Sequence, residues 1–285
     1  MDARILTRLR CPVCGEPLAE TTAGTARALR CPRRHSFDIA RQGYVNLLAG
    51  RAPHTGDSAE MVAARADFLA AGHYGTVAAA LAGTAREIAE GADEAYPLVV
   101  DAGAGTGWYL AAVLAALPDA VGLALDVAKP ALRRAARAHP RAAAALADTW
   151  QRLPLADHAA TVLLNVFAPR NGAEFHRVLD PAGALLVVTP AADHLAELVD
   201  ALDLLRVDPA KADRVAGSLS AHFTEESATE HRARLELRRT EVATLVGMGP
   251  SAWHADPARL AERIAALPEP VPVTLAVRLG VHRPR

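Results

Sequence analysis

The run Val99-Val100-Asp101-Ala102-Gly103-Ala104-Gly105-Thr106-Gly107 constrains this chain more than any other segment. Two β-branched residues lead into a carboxylate, and three alternating glycines follow, the pattern of a buried strand breaking into a tight turn. Glycines let the backbone approach a ligand closely, and the helix that follows presents its free N–H groups to it. The spacing is G-x-G-x-G. In the dinucleotide-binding pattern the third glycine would fall on Trp108, where close helix–strand packing leaves no room for a large ring. No P-loop lysine follows either.

Beyond the turn, apolar runs and amphipathic stretches alternate as in a parallel α/β sheet. Strands are expected over 98–100, 120–125, 142–147, 161–166 and 184–189, and helices over 110–117, 131–138 and 191–205. Two later strands, 234–237 and 273–279, flank a helical stretch. Asp126 ends the second strand, where a carboxylate can accept from both hydroxyls of a ribose. Asp148 ends the third, placed to accept from an adenine amino group. Ligands of open α/β sheets bind outside the carboxyl ends of the strands. Asp101, Asp126 and Asp148 therefore line one crevice with Gly103, Gly105, Thr106, Gly107 and Trp108.

The only three cysteines, Cys11, Cys14 and Cys31, all fall in the opening segment. An odd, tightly clustered set is no disulfide framework. Cys11-Pro-Val-Cys14-Gly is a turn that aims two thiolates at one ion, and Cys31 and His35 complete a closed tetrahedral Cys₃His zinc site of structural type. A redox pair would sit beside a βαβ element, which is missing here; inert buried cysteines are the other alternative. His54 and His73 read as surface or packing residues. The chain thus divides into a zinc-binding module over 1–50, connecting helices at 57–69 and 77–88 within 51–92, and an α/β domain over 93–285. A module so small relies on its metal for folding energy.

Net charge is −1, which argues against a binder that depends on overall positive charge. The distribution differs from the average: the first 51 residues hold nine arginines against four acidic residues. With Phe37 and Tyr44, these could contact and stack on RNA, although the two aromatic residues equally suit the module's core. A second basic cluster, Lys129, Arg133, Arg134, Arg137 and Arg141, reads as the solvated face of one helix. There is no signal peptide and no apolar run of the roughly 20 residues a membrane span needs. The expectation is a soluble cytoplasmic protein with no membrane partner.

The glycine turn and acidic strand ends resemble class I S-adenosylmethionine methyltransferases, a Rossmann-like α/β fold. More specific stretches are CPVCGEPL, LRCPRRHSFDIARQGYVNLL, MVAARADFLAAGHY, LDVAKPALRRAARAHP, NVFAPRN, TPAADHLAELVDAL and MGPSAWH. With them the chain resembles, along its whole length, the RlmA family of 23S rRNA guanine-N1 methyltransferases. It is most similar to the TlrB-type branch associated with tylosin resistance. The resemblance implies zinc on Cys11, Cys14, Cys31 and His35, and S-adenosylmethionine contacts from Tyr74, the Gly107-Trp108 turn and His194. It also implies a homodimer and a guanine target in a domain II hairpin of 23S rRNA at the macrolide-binding tunnel. Read without it, Tyr74 is a packing residue at a helix end and His194 a polar residue on a helix face.

The loop over 165–171 holds the usual target-base position, with Asn165 at its start counted among the cofactor contacts. It differs from the Asn-Pro-Pro-aromatic loop of exocyclic-amine methyltransferases, in keeping with a ring-nitrogen target. Phe167 can stack on the base and Arg170 can hold a phosphate or the guanine O6; a packed loop with a solvated arginine is the plainer reading. No residue stands out as proton acceptor. Two other functions fit part of the pattern: a small-molecule methyltransferase with an accessory zinc module, and a non-catalytic RNA-binding protein that kept the cofactor site.

Overall fold

A computed structural model of the chain describes residues 1–23, 26–50, 54–92, 94–204, 217–249 and 256–285. The amino-terminal part contains α1 (Ala3–Leu6), then β1 (Ala19–Ala23), β2 (Ala26–Arg30) and β3 (Ser36–Asp38), which form a small antiparallel sheet. A two-residue strand, β4 (Val45–Asn46), precedes the helices α2 (Ala59–Ala70) and α3 (Gly75–Glu90). The alternating part follows as β5 (Leu98–Ala102), α4 (Trp108–Ala116), β6 (Val121–Asp126), α5 (Lys129–Ala135), β7 (Ala142–Leu146), β8 (Ala160–Val166), α6 (Gly172–Val178), β9 (Leu179–Pro190) and α7 (Ala196–Leu202). The last described elements are β10 (Phe223–Leu237), α8 (Arg239–Gly247), α9 (Pro257–Ala265) and β11 (Val271–Pro284).

The large sheet runs β10-β11-β9-β8-β5-β6-β7-β4. From β9 to β4 every pair is parallel, and β11 enters antiparallel between β9 and β10. This is the expected class I methyltransferase architecture. The chain leaves β5 toward β6 and β7 and later returns to β8 on β5's other side, which opens a crevice at the carboxyl end of β5.

Strand periodicity divides the core in two. Leu98, Val100, Ala102, Leu123 and Leu125 face one layer, and Val99, Ala124, Val162 and Leu164 the other. The second layer is covered by α3, α4 and the later helices. Ile5, Leu9, Leu18, Leu29 and the zinc-ligand candidates Cys11 and Cys31 share a core with Leu98 and Leu123. The zinc module therefore packs against a face of the large sheet, and β4 extends that sheet by parallel pairing of Val45 with Ala145 and Asn46 with Leu146.

Several expected bounds shift. The helix expected over 191–205 begins at Ala196; residues 191–195 form turns and Leu195 has φ of 57°. The helix expected over 131–138 is α5, and Arg141 leaves its basic cluster to donate to the carbonyls of Leu114, Leu117 and Ala120 at the end of α4. The late strands are far longer than expected, 15 residues for β10 and 14 for β11. Part of the MGPSAWH stretch, 250–254, lies outside the described residues, as does 205. Among the described residues no helix is long and apolar enough to cross a membrane.

Candidate functional site

A cleft of about 520 Å³ opens where β5, β6 and β7 end, lined by Asp101, Gly103, Thr106, Trp108, Asp126 and Asp148 among others. Gly103 and Gly107 have φ of 85° and 77°, a region an L side chain rarely adopts. Space is also closed to a side chain at both: a Cβ on Gly103 would lie 2.4 Å from that of Ala168, and one on Gly107 3.0 Å from the Cα of Ala135. The turn is glycine-rich because the loop after β8 and helix α5 press against it.

The three carboxylates differ in how far the protein satisfies them. Asp126 accepts the N–H groups of Gly105 and Ala128, both at 2.8 Å, which pins the turn to the end of β6. Asp148 is buried; it accepts the Trp150 N–H at 3.0 Å and lies 2.9 Å from Nδ1 of His54. Asp101 is buried, and neither of its carboxylate oxygens has a hydrogen-bond partner among the described residues. Burial, reinforced by the charge of Asp126, pushes its pKa up to about 8. An orphaned carboxyl group in an open cleft lacks a cationic donor, and the ammonium of a methionine moiety supplies one. The residues present fit S-adenosylmethionine: Asp101 for its amino acid end, Asp126 for its ribose, Asp148 for its adenine.

Tyr74 also lines the cleft. It is buried at the start of α3, edge-on to Phe68 at 5.4 Å, and burial raises its phenol pKa. Its hydroxyl stands 3.4 Å from Nε2 of His194, whose Nδ1 accepts the Ala276 N–H at 3.3 Å. The His194 ring stacks on Phe167 at 6.1 Å and 23°. His194 is thus brought to the site by the turn before α7, although it does not itself line the cleft. Phe167 does line it, 41% exposed and with φ of 53°.

Two residues of the target loop lie elsewhere. Asn165 is buried and donates its amide to the carbonyls of Ala102 at 3.1 Å and Pro169 at 2.8 Å, tying β5 to the loop. Arg170 does not line the cleft; its guanidinium approaches the Ala168 carbonyl at 3.4 Å, and burial lowers its pKa. Among the described residues, the arginine that lines the cleft is Arg65 on α2, ion-paired with Asp57 and donating to the Met248 carbonyl at 2.9 Å. Its signal in the sequence is an arginine inside the apolar stripe Met61, Val62, Phe68 and Leu69. His54 and Trp150, also cleft residues, carry no such signal because the sequence around each has no apolar periodicity.

The metal-ligand candidates converge in the zinc module. The ligand atoms of Cys11, Cys14, Cys31 and His35 all lie within 4.8 Å of one another. The Cys11 and Cys31 sulfurs are 3.5 and 3.4 Å from His35 Nδ1, and Cys14 is 3.7 Å from Cys31. A tetrahedron with Zn–S of about 2.3 Å and Zn–N of about 2.0 Å has edges of about 3.8 and about 3.5 Å. The four side chains are already spaced for that ion, and with four protein ligands the site is structural.

The zinc-ribbon family model described as RlmA, N-terminal, matches residues 9–52. The chain is 67% identical, over the full length of both proteins, to a protein of Micromonospora griseorubida assigned to the 23S rRNA (guanine-N1)-methyltransferases. It is 52% identical to the 23S rRNA (guanine(748)-N1)-methyltransferase of Streptomyces fradiae, over all of this chain and 99% of that one. A third relative, YxjB of Bacillus subtilis, is 31% identical over 86% of this chain and 87% of its own length. With a Cys₃His ribbon packed on a class I methyltransferase sheet and identity running end to end, the chain belongs to the RlmA family of 23S rRNA (guanine-N1)-methyltransferases.

Proposed function

We propose that this chain transfers the methyl group of S-adenosylmethionine to N1 of a guanine in the domain II hairpin of 23S rRNA at the macrolide-binding tunnel, so conferring resistance of the tylosin type. The reading is carried by the 52% identity, along the whole chain, to an enzyme named for guanine 748. Cytoplasmic location and a homodimer belong to the same proposal and rest on the family resemblance.

S-adenosylmethionine supplies an electrophilic methyl group on a sulfonium. Asp101, Asp126 and Asp148 would hold its amino acid, ribose and adenine parts. Guanine N1 lies on the Watson–Crick edge, so the base leaves its stack to react. Phe167, supported by His194 and Tyr74, offers an exposed ring on which a flipped base can rest. Positioning of the two reactants is the protein's main contribution. Arg170 has no part at guanine O6 in this scheme, because it lies off the cleft; Arg65 takes its place as the nearby cation.

The test is incubation of the protein with labelled S-adenosylmethionine and protein-free 23S rRNA, followed by reverse transcription across domain II. One new stop in the tunnel hairpin is expected, since an N1 methyl blocks pairing. Label without a stop would place the methyl off the Watson–Crick edge and refute the guanine-N1 assignment. No label at all would favour a small-molecule substrate or a non-catalytic role. Expression in a tylosin-sensitive host tests resistance separately.

A further inference from the structure

Segments 39–56 and 127–147 each lack acidic residues and hold basic ones. The described residues of the first lie along the second. Val45 and Asn46 pair with Ala145 and Leu146, a Cβ on Gly43 would meet that of Ala136 at 3.6 Å, and one on Gly56 would meet Ala128 at 2.8 Å. Residues 43 and 56 therefore clasp the two ends of α5, and Tyr44 packs in one core with Leu132 and Ala135. The outer side of this assembly carries Arg41, Lys129, Arg133, Arg134 and Arg137, all exposed.

None of these five cations has an ion-pair or hydrogen-bond partner among the described residues. Elsewhere on the surface, pairing is the rule: on the paired strands β10 and β11, Arg232, Arg234, Arg278 and Arg283 each meet a carboxylate. Arg141, the one member of the basic sequence cluster with bonds, has turned inward. What remains is a ridge of uncompensated positive charge on a chain of net charge −1. Its back is apolar and packed: α5 buries Ala131, Leu132 and Ala135. Its amino-terminal end abuts the cleft, where His54, Thr55, Gly56 and Asp126 are lining residues. The seven residues of α5 span roughly 10 Å.

We infer that this ridge, α5 with the hairpin at Arg41, binds the sugar-phosphate backbone of the RNA strand that enters the cleft. The inference rests on the proposed function for its substrate and adds where that substrate docks. A polyanion fits the ridge by charge, and arginines hold phosphates by paired hydrogen bonds as well as by charge. Interactions of this kind set register without reading sequence, which leaves selection of the guanine to the cleft.

The experiment measures the affinity of the full-length zinc-loaded protein for a transcript of the domain II hairpin between about 50 and about 200 mM salt. Three proteins are compared: wild type, the triple variant Arg133→Gln/Arg134→Gln/Arg137→Gln, and the charge-preserving Arg133→Lys/Arg134→Lys/Arg137→Lys. Removing one cation from a phosphate reduces the slope of log affinity against log salt by about 0.7 to 0.9. The glutamine variant is expected to flatten the slope by about 2 and to bind at least about tenfold more weakly at the low-salt end, while calorimetry shows an unchanged affinity for S-adenosylmethionine. The lysine variant keeps the wild-type slope. A glutamine variant with wild-type slope and affinity overturns the ridge, as does a lysine variant that falls equally far. Wild type that methylates the hairpin while the glutamine variant tracks it refutes the docking surface alone. Wild type that neither binds nor methylates the hairpin refutes the proposed function with it.

Discussion

A Cβ on Gly103 would stand 2.4 Å from the Cβ of Ala168, so the turn after β5 and the loop after β8 meet with no room between them. The contact joins the turn proposed to hold the methyl donor to the loop that presents Phe167 to the cleft. Gly103→Ala forces the two apart and adds a side chain at φ of 85°. Overpacking of this kind costs about 1–3 kcal/mol, with about 1–2 kcal/mol more for the left-handed backbone. Chemical denaturation should show that loss, and calorimetry an S-adenosylmethionine affinity at least about tenfold weaker, or about 1.4 kcal/mol. Wild-type affinity in the variant would show that the loop yields freely.

The orphaned Asp101 makes both stability and cofactor binding depend on pH. Its carboxyl titrates near 3.8 when unfolded and at about 8 in the cleft, because burial disfavours the charge. Between those values the native state holds a proton that the unfolded state has released, so stability falls as pH rises through the window. Cofactor-free wild type should therefore lose melting temperature from about pH 5 to about pH 8, and Asp101→Asn should flatten that decline. Cofactor binding takes the opposite sign. The ammonium pairs with the ionised form, so affinity climbs toward about pH 8, where the ligand's own amino group begins to lose its charge. A wild-type affinity independent of pH over this range would remove Asp101 from the amino acid end.

Much of this was legible in the sequence, for identifiable reasons. The strands β5, β6, β8 and the core of β9 are buried on both faces, and buried strands are written as continuous apolar runs that end at turn residues. The zinc ligands are legible because coordination fixes both residue type and spacing. By contrast, β10 extends 11 residues before its expected start, since TEESATEHRAR is polar on both faces and leaves no period to detect. The pairing of β4 with β7 involves two residues, too few for any pattern. The partners of His54 and His194, and the Met248 carbonyl that Arg65 reaches, come from distant segments, and spacing along the chain holds no trace of them. Arg170, expected at the phosphate or guanine O6, is not among the residues lining the cleft; an arginine beside a target loop can point either way, and packing alone decides.

Zinc should prove to be a folding element, at one ion per chain by elemental analysis. Cys11 and Cys31 belong to the same core as Ile5, Leu9 and Leu29, which covers Leu98 and Leu123 of the large sheet. Structural zinc contributes about 10–16 kcal/mol of binding free energy in small modules, more than so small a core can replace. A strong chelator, or Cys31→Ser, is expected to abolish amide protection in β1, β2 and β3 and to expose apolar surface that binds a hydrophobic dye. Amides of β8 and β9 stay protected. Protection of the small sheet that survives complete metal removal would show that its apolar packing suffices.

Asn165 is buried behind the cleft, where it ties β5 to the loop after β8, and its variants separate holding from contacting. Its amide donates to Ala102 and Pro169 at 3.1 and 2.8 Å from a fully buried position. Asn165→Ala leaves two carbonyls unpaired at a cost of about 1–3 kcal/mol, with little dependence on pH. Asn165→Asp keeps the shape but sets a carboxylate against two carbonyl oxygens, so the new group stays protonated and its folded pKa rises. Its stability contribution is present at low pH and disappears as pH rises through that folded value. Urea midpoints should therefore rank the aspartate variant near or above the alanine variant at about pH 5 and clearly below it at about pH 8. Both variants release Ala102 from the 165–171 loop, so turnover should fall more than S-adenosylmethionine affinity. An aspartate variant whose midpoint does not move with pH would mean that water reaches this position, and the loop would then owe its shape to the Gly103–Ala168 contact alone.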